Sequence, residues 1–270
     1  MSFEDSLLYN DWARAVKQGT PNDFVICITA SSKTLVSGTG KTTLETNLAQ
    51  KTDLSGGGFD ATEKATLDAG ELAYEVVPSV PSQSAVCLDE AQGAPGTVGL
   101  DSRRAMKQEA IDAISSILAN RDKQLTIIIT AQQFSMLDPR VYPIIDAWLL
   151  IRKGPDHPEG PLGTYHNVYV EDYNLANPKV KTPGVEDFDW PRVAHDDPDY
   201  RHLEKLKQKA KRRGGDGDGD GESAPQTVDD MPIEVRNNEI QRLYNQGLTQ
   251  DKIANIFDLT QPTVSDIISG

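Results

Sequence analysis

The sequence predicts an α/β fold, a mostly parallel sheet flanked by helices, followed by a small all-α domain. Two patterns carry this reading. Short apolar runs at 24–29, 84–88, 125–131 and 147–152 alternate with stretches of helical periodicity, and strands that are apolar on both faces belong to parallel sheets covered on both sides. Beyond residue 200 the chain turns charged and glycine-rich, then regains a compact apolar pattern over 233–270.

The elements follow in order. Over 6–18, Leu7, Leu8, Trp12, Ala15 and Val16 share one face, which predicts an opening helix. A strand at 24–29, a glycine-rich turn and a helix over 41–51 make a β-loop-α unit. Residues 52–59, with Gly56, Gly57 and Gly58, read as a loop. A helix is expected over 62–76, and Pro78 and Pro81 break the chain before the next strand. That strand ends in Asp89 and Glu90, and the glycine-rich stretch 92–101 lies beside it as a loop. Met106, Ala110, Ile111, Ile114, Ile117 and Leu118 recur at helical spacing over 103–120. The β-branched run 125–131 reads as a central strand. Residues 147–152 and 165–171 read as two more strands, joined by the Pro/Gly-rich loop 154–163.

The chain has 270 residues, which suits one α/β domain with a small appendage. We divide it into 1–195, an α/β domain; 196–230, a charged flexible linker; and 231–270, the small α domain. Cys27 and Cys87 both fall inside expected strands and read as buried thiols of a reducing compartment. No charged-then-apolar leader opens the chain, and no apolar run approaches the ~18 residues of a membrane span. A cytoplasmic protein with no membrane partner is expected. The net charge of −14 resembles the acidic surfaces of proteins from extreme halophiles, where salt screens repulsion over only ~3 Å at 1 M.

The turn Ser37-Gly38-Thr39-Gly40-Lys41-Thr42-Thr43 is the strongest chemical signal. Backbone N–H groups of such a turn and of the helix N-terminus cradle phosphates. Lys41 reaches the β/γ-phosphates of a nucleotide, and the Thr42 hydroxyl ligates Mg²⁺. The first glycine of the usual spacing is replaced by Leu35, so the front of the loop is shaped differently. Asp89, at the end of its strand, fits a second Mg²⁺ contact through the water shell. Glu90, one residue on, fits the carboxylate that polarises the attacking water. Together they describe a site that hydrolyses a nucleotide with Mg²⁺, and the nucleotide expected is ATP from the resemblance given below.

In the tail, Arg201 to Arg213 carries seven basic residues against one acid, and 214–222 is a glycine-aspartate stretch. Over 233–270, Ile233, Val235, Ile240 and Leu243 form the inner face of a first helix. A short helix is expected over 251–257, a turn at 258–260, and a last helix from 261, with Thr260 as N-cap. This pattern resembles a helix-turn-helix reader of the resolvase and sigma-region type. The resemblance implies that Gln261, Thr263 and Ser265 face the major groove of double-stranded DNA. The module is acidic: Arg236, Arg242 and Lys252 stand against Glu234, Glu239, Asp251, Asp258 and Asp266. The basic tract 201–213 is read either as a compensating phosphate contact or as the soluble end of a helix.

With the phosphate turn, the Asp89-Glu90 strand and the run 125–132 in hand, the chain resembles P-loop ATPases of the additional-strand class, nearest the HerA/FtsK-like DNA pumps and their viral packaging relatives. The addition of a terminal helix-turn-helix resembles ATP-binding proteins carried by haloarchaeal plasmids and proviruses. The resemblance implies a P-loop NTPase sheet and a polar residue at the end of the 125–131 strand that senses the γ-phosphate. Gln132 matches best, with Gln133 and Thr130 as alternatives. It also implies a homo-oligomer, as a ring, with an arginine reaching the γ-phosphate of the next subunit. Arg121 is the first choice for that role; Arg140, Arg103 and Arg104 follow. Two functions fit: an ATPase coupled to DNA handling in a mobile element or virus, or a DNA-binding regulator switched by nucleotide with negligible turnover.

Overall fold

The computed structural model describes residues 3–18, 22–31, 40–101, 112, 115, 119, 121–171, 179–215, 240, 241, 244, 250 and 261–269. The chain divides into two compact units, residues 1–214 and 215–270. In the first, a 3₁₀ turn Phe3–Asp5 leads into helix α1, Leu7–Val16, whose N-cap Ser6 accepts a hydrogen bond from the Tyr9 N–H. Strand β1, Phe24–Ala30, precedes helix α2, Lys41–Thr52. A short helix α3, Ala61–Lys64, runs straight into strand β2, Ala65–Thr66. Helix α4 follows as Ala69–Glu71, a π-wound stretch Leu72–Val76, and Val77–Ser79. Then come β3, Ala85–Leu88; β4, Thr126–Thr130; β5, Ala147–Lys153; β6, Leu162–Asn167; β7, Tyr169–Glu171; β8, Lys179–Lys181; and β9, Gly184–Phe188. Helix α5, Pro198–Gly215, closes the unit.

The main sheet has seven strands in the order β2-β3-β4-β1-β5-β6-β9. Strands β2, β3, β4, β1 and β5 pair in parallel, and β6 and β9 are added antiparallel at one edge. The expected α/β class, a mostly parallel sheet flanked by helices, is the observed one. Period-two alternation sorts the central strands between two cores. Phe24, Ile26, Ile28 and Ile128 face Leu8, Trp12, Val16, Leu44 and Leu48 of α1 and α2. Val25, Cys27, Ile127 and Ile129 face Leu72, Val76 and Val77 of α4. Each fully buried side chain of this kind contributes roughly 1.5–3 kcal/mol. The Trp12 indole also donates a 2.7 Å bond to Thr126 Oγ1, which ties α1 to β4. Cys27 and Cys87 are free and buried, as expected. Among the described residues no helix is long and apolar enough to cross a membrane.

Three expectations need correction. The single helix over 62–76 is instead α3, β2 and α4. Asp60 and Asp68 each cap a new helical turn, with Asp68 Oδ1 accepting from the Gly70 and Glu71 N–H groups, and the open edge of β3 takes residues 65–66 as a partner strand. The strand expected over 165–171 is two strands in two sheets, because β6 pairs with β5 while β7 pairs with β8. The linker expected from residue 196 begins with α5 instead, whose Leu203 joins the α2-side core and whose Ala210 packs with Leu67 and Ala94. The helix expected over 103–120 is described only at Asp112, Ser115 and Ala119, which are helical.

In the second unit, Ile240, Gln241, Tyr244 and Gln250 are helical and helix α6 spans Gln261–Ser269. Ile240 and Val264 are fully buried, and the Gln241 amide donates to the Ile267 carbonyl at 3.1 Å. The expected helix over 251–257 and the glycine-aspartate stretch lie outside the described residues, apart from Gly214 and Gly215 at the end of α5.

One buried ion pair fastens the α2 exit to the sheet edge. Asp53 Oδ2 accepts from Lys64 Nζ at 2.8 Å and from the Ala85 N–H at 2.9 Å, with the Asp53 side chain fully buried. Burial would raise this carboxyl, but Lys64 and the donors of Ser55 and Ala85 outweigh it and hold the pKa below its ordinary value. Its contribution is therefore present above the unfolded pKa and is lost as pH falls through the folded one. Asp53→Ala strands the Lys64 ammonium and should cost about 3–5 kcal/mol in urea unfolding at neutral pH. A loss under about 1 kcal/mol would show that the pair does not hold α3 to β3.

Candidate active site

The site lies at the carboxyl edge of the parallel strands, where β4 stands between β1 and β3. Its floor is the N-terminus of α2, whose first N–H groups have no partner within the helix. Gly40 caps that helix with φ +83, a left-handed backbone that favours glycine, and a Cβ there would fall 2.2 Å from Pro155 Cδ. The β5–β6 loop thus closes over Gly40. Ser37, Gly38 and Thr39 lie outside the described residues. Thr42 and Thr43 are buried in the first turn of α2. Lys41 is half-buried; burial first, then the charge of Lys207, lowers its pKa.

Asp89 is fully buried one residue past β3. Its Oδ1 accepts from the Glu90 N–H at 2.9 Å and from the hydroxyl of Thr130, the last residue of β4. Thr130 Oγ1 also accepts from the Glu90 N–H at 3.0 Å. This leaves Oδ2, itself buried, facing Lys207 Nζ in an ion pair at 2.9 Å, with no hydrogen bond from any other described residue. Glu90 has φ +51, a strained conformation for a non-glycine residue, of the kind that collects at functional sites. Burial first, and then Asp89, raise its carboxyl above the ordinary value, opposed by Lys207, Lys211 and Lys41. That favours a group able to take a proton nearer neutrality than a surface glutamate can.

Sequence reasoning missed two residues here. Lys207 of α5 also donates to the Thr42 hydroxyl, so its ammonium lies against both oxygens assigned to the metal. Burial would lower its pKa; Asp89, Glu45 and Glu204 outweigh that and hold it above the ordinary value. Read as a run of charge, 201–213 hides it, but Leu203, Lys207 and Ala210 at i, i+4 and i+7 form one helical stripe. The second is Glu45, one turn beyond Lys41. It is fully buried, neither oxygen has a conventional hydrogen bond among the described residues, and the Cys87 thiol lies beside it. A carboxylate in a run of polar helix residues gives no sequence signal of burial.

The other expected residues are placed as follows. Gln132 is exposed just past β4, and its N–H donates to Gln92 Oε1 at 3.2 Å. Of the three alternatives for that role, Thr130 is the one whose side chain touches Asp89. Arg121 opens a 3₁₀ turn leading into β4, at the opposite end of the strand from Asp89. Arg140 is paired with Asp138 at 2.9 Å, and Arg103 and Arg104 lie outside the described residues. In the second unit Gln261 is exposed and Thr263 and Ser265 are half-buried on α6.

The residues fit a hard divalent cation. Among the described residues no cluster of three or more His, Cys, Asp or Glu could hold a metal, so any metal here rests on a hydroxyl, a carboxylate and a bound phosphate. Thr42 and Asp89 supply two such oxygens, and a lysine ammonium already sits against them as a stand-in for the positive charge.

Known structures resemble the chain as follows. The N-terminal domain of zonular occludens toxin from Neisseria meningitidis matches at 14% identity and TM-score 0.37, over 61% of this chain and 95% of that one. The genome packaging NTPase B204 of Sulfolobus turreted icosahedral virus 2, in complex with sulfate, matches at 12% identity and TM-score 0.35, over 65% of this chain and all of that one. EssC (ATPases 2 and 3) from Geobacillus thermodenitrificans matches at 14% identity and TM-score 0.31, over 73% of this chain and 44% of that one. No protein-family model and no curated protein matches the sequence. At these TM-scores they stand as likenesses only, and the α/β class rests on the sheet order above.

Glu45 gives the site a pH signature. Its folded-state pKa is raised well above 4.5, chiefly by burial and then by Asp89, so folding holds a proton that the unfolded chain releases. That contribution is full below the unfolded pKa and is lost as pH rises toward the folded one. Glu45→Gln should therefore gain stability over the parent by up to about 1.4 kcal/mol per pH unit as pH rises from 5. Urea unfolding of both proteins from pH 5 to 8 measures this, and parallel curves would show that Glu45 is ionised throughout.

Proposed function

We propose that residues 1–214 are a P-loop ATPase of the additional-strand class that hydrolyses ATP with Mg²⁺, and that the protein couples this ATPase to DNA handling. The observation that carries the reading is the convergence, on one strand edge, of the α2 N-terminus with Lys41 and Thr42, a buried Asp89 aimed by Thr130, and a strained Glu90. Phosphates lie against the N–H groups of α2, with Lys41 neutralising the β/γ oxygens. Thr42 and Asp89 would hold the metal, which would supply positive charge to offset that developing on the transferred phosphoryl group. Glu90 accepts the proton of the attacking water, its pKa already raised by its surroundings. Thr130 keeps Asp89 in place, with Gln132 the residue proposed to sense the γ-phosphate and Arg121 the one proposed to act in a neighbouring subunit.

Two substitutions separate binding from turnover. Lys41→Ala should abolish binding of a fluorescent ATP analogue. Glu90→Gln should keep binding and lower ATP turnover by at least about 10²-fold. Parental turnover in Glu90→Gln would remove Glu90 as the base. Adding duplex DNA in molar KCl decides between the two functions: stimulated turnover supports DNA handling, and flat negligible turnover supports a nucleotide-switched regulator.

The second unit is proposed as the DNA reader, through Gln261, Thr263 and Ser265 of α6. Because α5 belongs to the first unit, the informative cut falls after residue 215 rather than near 200. A chain ending there should keep nucleotide affinity and lose duplex affinity by at least about tenfold in fluorescence anisotropy. An acidic reader neutralises few phosphates, so residues 231–270 alone should lose affinity only shallowly across a KCl series, with a steeper slope when 201–213 is included. Equal duplex affinity with and without residues 216–270 would overturn the reader.

A further inference from the structure

The nucleotide-site reading leaves one feature unexplained: a lysine from α5, far along the chain, sits where that reading puts a metal ion. We propose that Lys207 is a tethered cation that competes with the divalent metal for the Thr42–Asp89 subsite, so that α5 holds the site in a metal-excluded state until the helix withdraws. The inference rests on the assignment of Thr42 and Asp89 as metal-holding residues.

Three observations carry it. The Lys207 ammonium lies 2.9 Å from Asp89 Oδ2 and also donates to Thr42 Oγ1. An ammonium in contact with both oxygens fills the space that a cation held by them needs. The pair is enclosed, with the Asp89 side chain fully buried and that of Lys207 13% exposed, so water does not screen it as it would a surface pair. The lysine is also placed by design of its helix. Asp199, in the first turn of α5, accepts from the Ala61 N–H and from the Gln50 amide, both at 2.8 Å. Leu203 is buried in the α2-side core, and Ala210 is buried against Leu67 and Ala94. Lys207 falls between these two anchors on the same stripe, while Arg201, Lys205, Lys209, Lys211 and Arg212 are exposed.

The stripe also predicts how the block is released. A divalent ion offers twice the charge, and to occupy a subsite that the ammonium fills it needs α5 to lift Lys207 away. Leu203 and Ala210 lie on the same stripe, so lifting Lys207 with its helix unseats them as well. Metal binding and α5 docking are then mutually exclusive, and by linkage each weakens the other equally.

The full chain tests this without measuring turnover. Manganese binding in the presence of ADP is titrated by electron paramagnetic resonance for the parent, Lys207→Gln, Lys211→Ala and Lys41→Ala. Lys207→Gln should bind Mn²⁺ at least about tenfold more tightly than the parent, and Lys211→Ala less than about threefold more tightly. Because a plain loss of charge could tighten binding without any gate, and because the variant leaves Asp89 buried without its partner, hydrogen exchange of 198–212 is followed in the parent as well. Exchange there should rise when Mn²⁺ and ADP bind. Unchanged Mn²⁺ affinity in Lys207→Gln, or unchanged protection of 198–212 in metal-loaded parent, overturns the gate. In either case ADP binding that still depends on Lys41 leaves the nucleotide site standing. No ADP binding in the parent or in Lys207→Gln overturns both.

Discussion

Parallel pairing of β4 between β1 and β3 is the constraint on which the site depends. It sets the α2 N-terminus and the end of β3 one strand apart, with Thr130 in the gap. Thr130 then does two things at once: its hydroxyl binds Asp89 and accepts from the Glu90 N–H. Slide β4 by one residue and the hydroxyl turns to the other face of the sheet, because side chains alternate with period two. The register is fixed by the buried runs of Ile127, Ile128 and Ile129, which fill both cores.

The same edge concentrates charge in a dry place. Asp89, Glu90 and Glu45 are gathered with Lys41 and Lys207, and the charges of this group act on Lys41, Glu45, Glu90 and Lys207. Burial pushes the Glu45 and Glu90 carboxyls up, and the nearby lysines oppose it. A site of this kind is costly to build, since buried charges demand partners. The partner for Asp89 comes from α5, although that helix lies beyond the sheet in sequence.

The sheet class, β1, α2, β3, β4 and β5 were legible because their signals are local: continuous apolar runs, a glycine turn, and an acid pair at a strand end. Edge elements were not. Strand β2 has two residues and no pattern of its own, and it forms because β3 leaves an open edge and Asp60 and Asp68 cap the turns on either side. Strand β9, Gly184–Phe188, alternates weakly and is held by pairing with β6. Among site residues, Lys41, Thr42, Asp89 and Glu90 were named from their spacing. Thr130 stood only as one of three alternatives, because which side chain reaches Asp89 depends on strand register.

What the sequence determined by itself was the set of local units: a helix opening after a glycine, an acid-ended strand, a β-branched central strand, and an amphipathic tail. Those follow from backbone freedom at glycine and from hydrophobic period, both of which act between near neighbours. What only the tertiary structure decided was which units meet. Composition gave Lys207 as one of seven basic residues in a solvated run, and packing of Leu203 and Ala210 turned that one inward onto Asp89. Charge in a sequence has no direction until a helix is seated, and burial then makes one lysine differ from its neighbours.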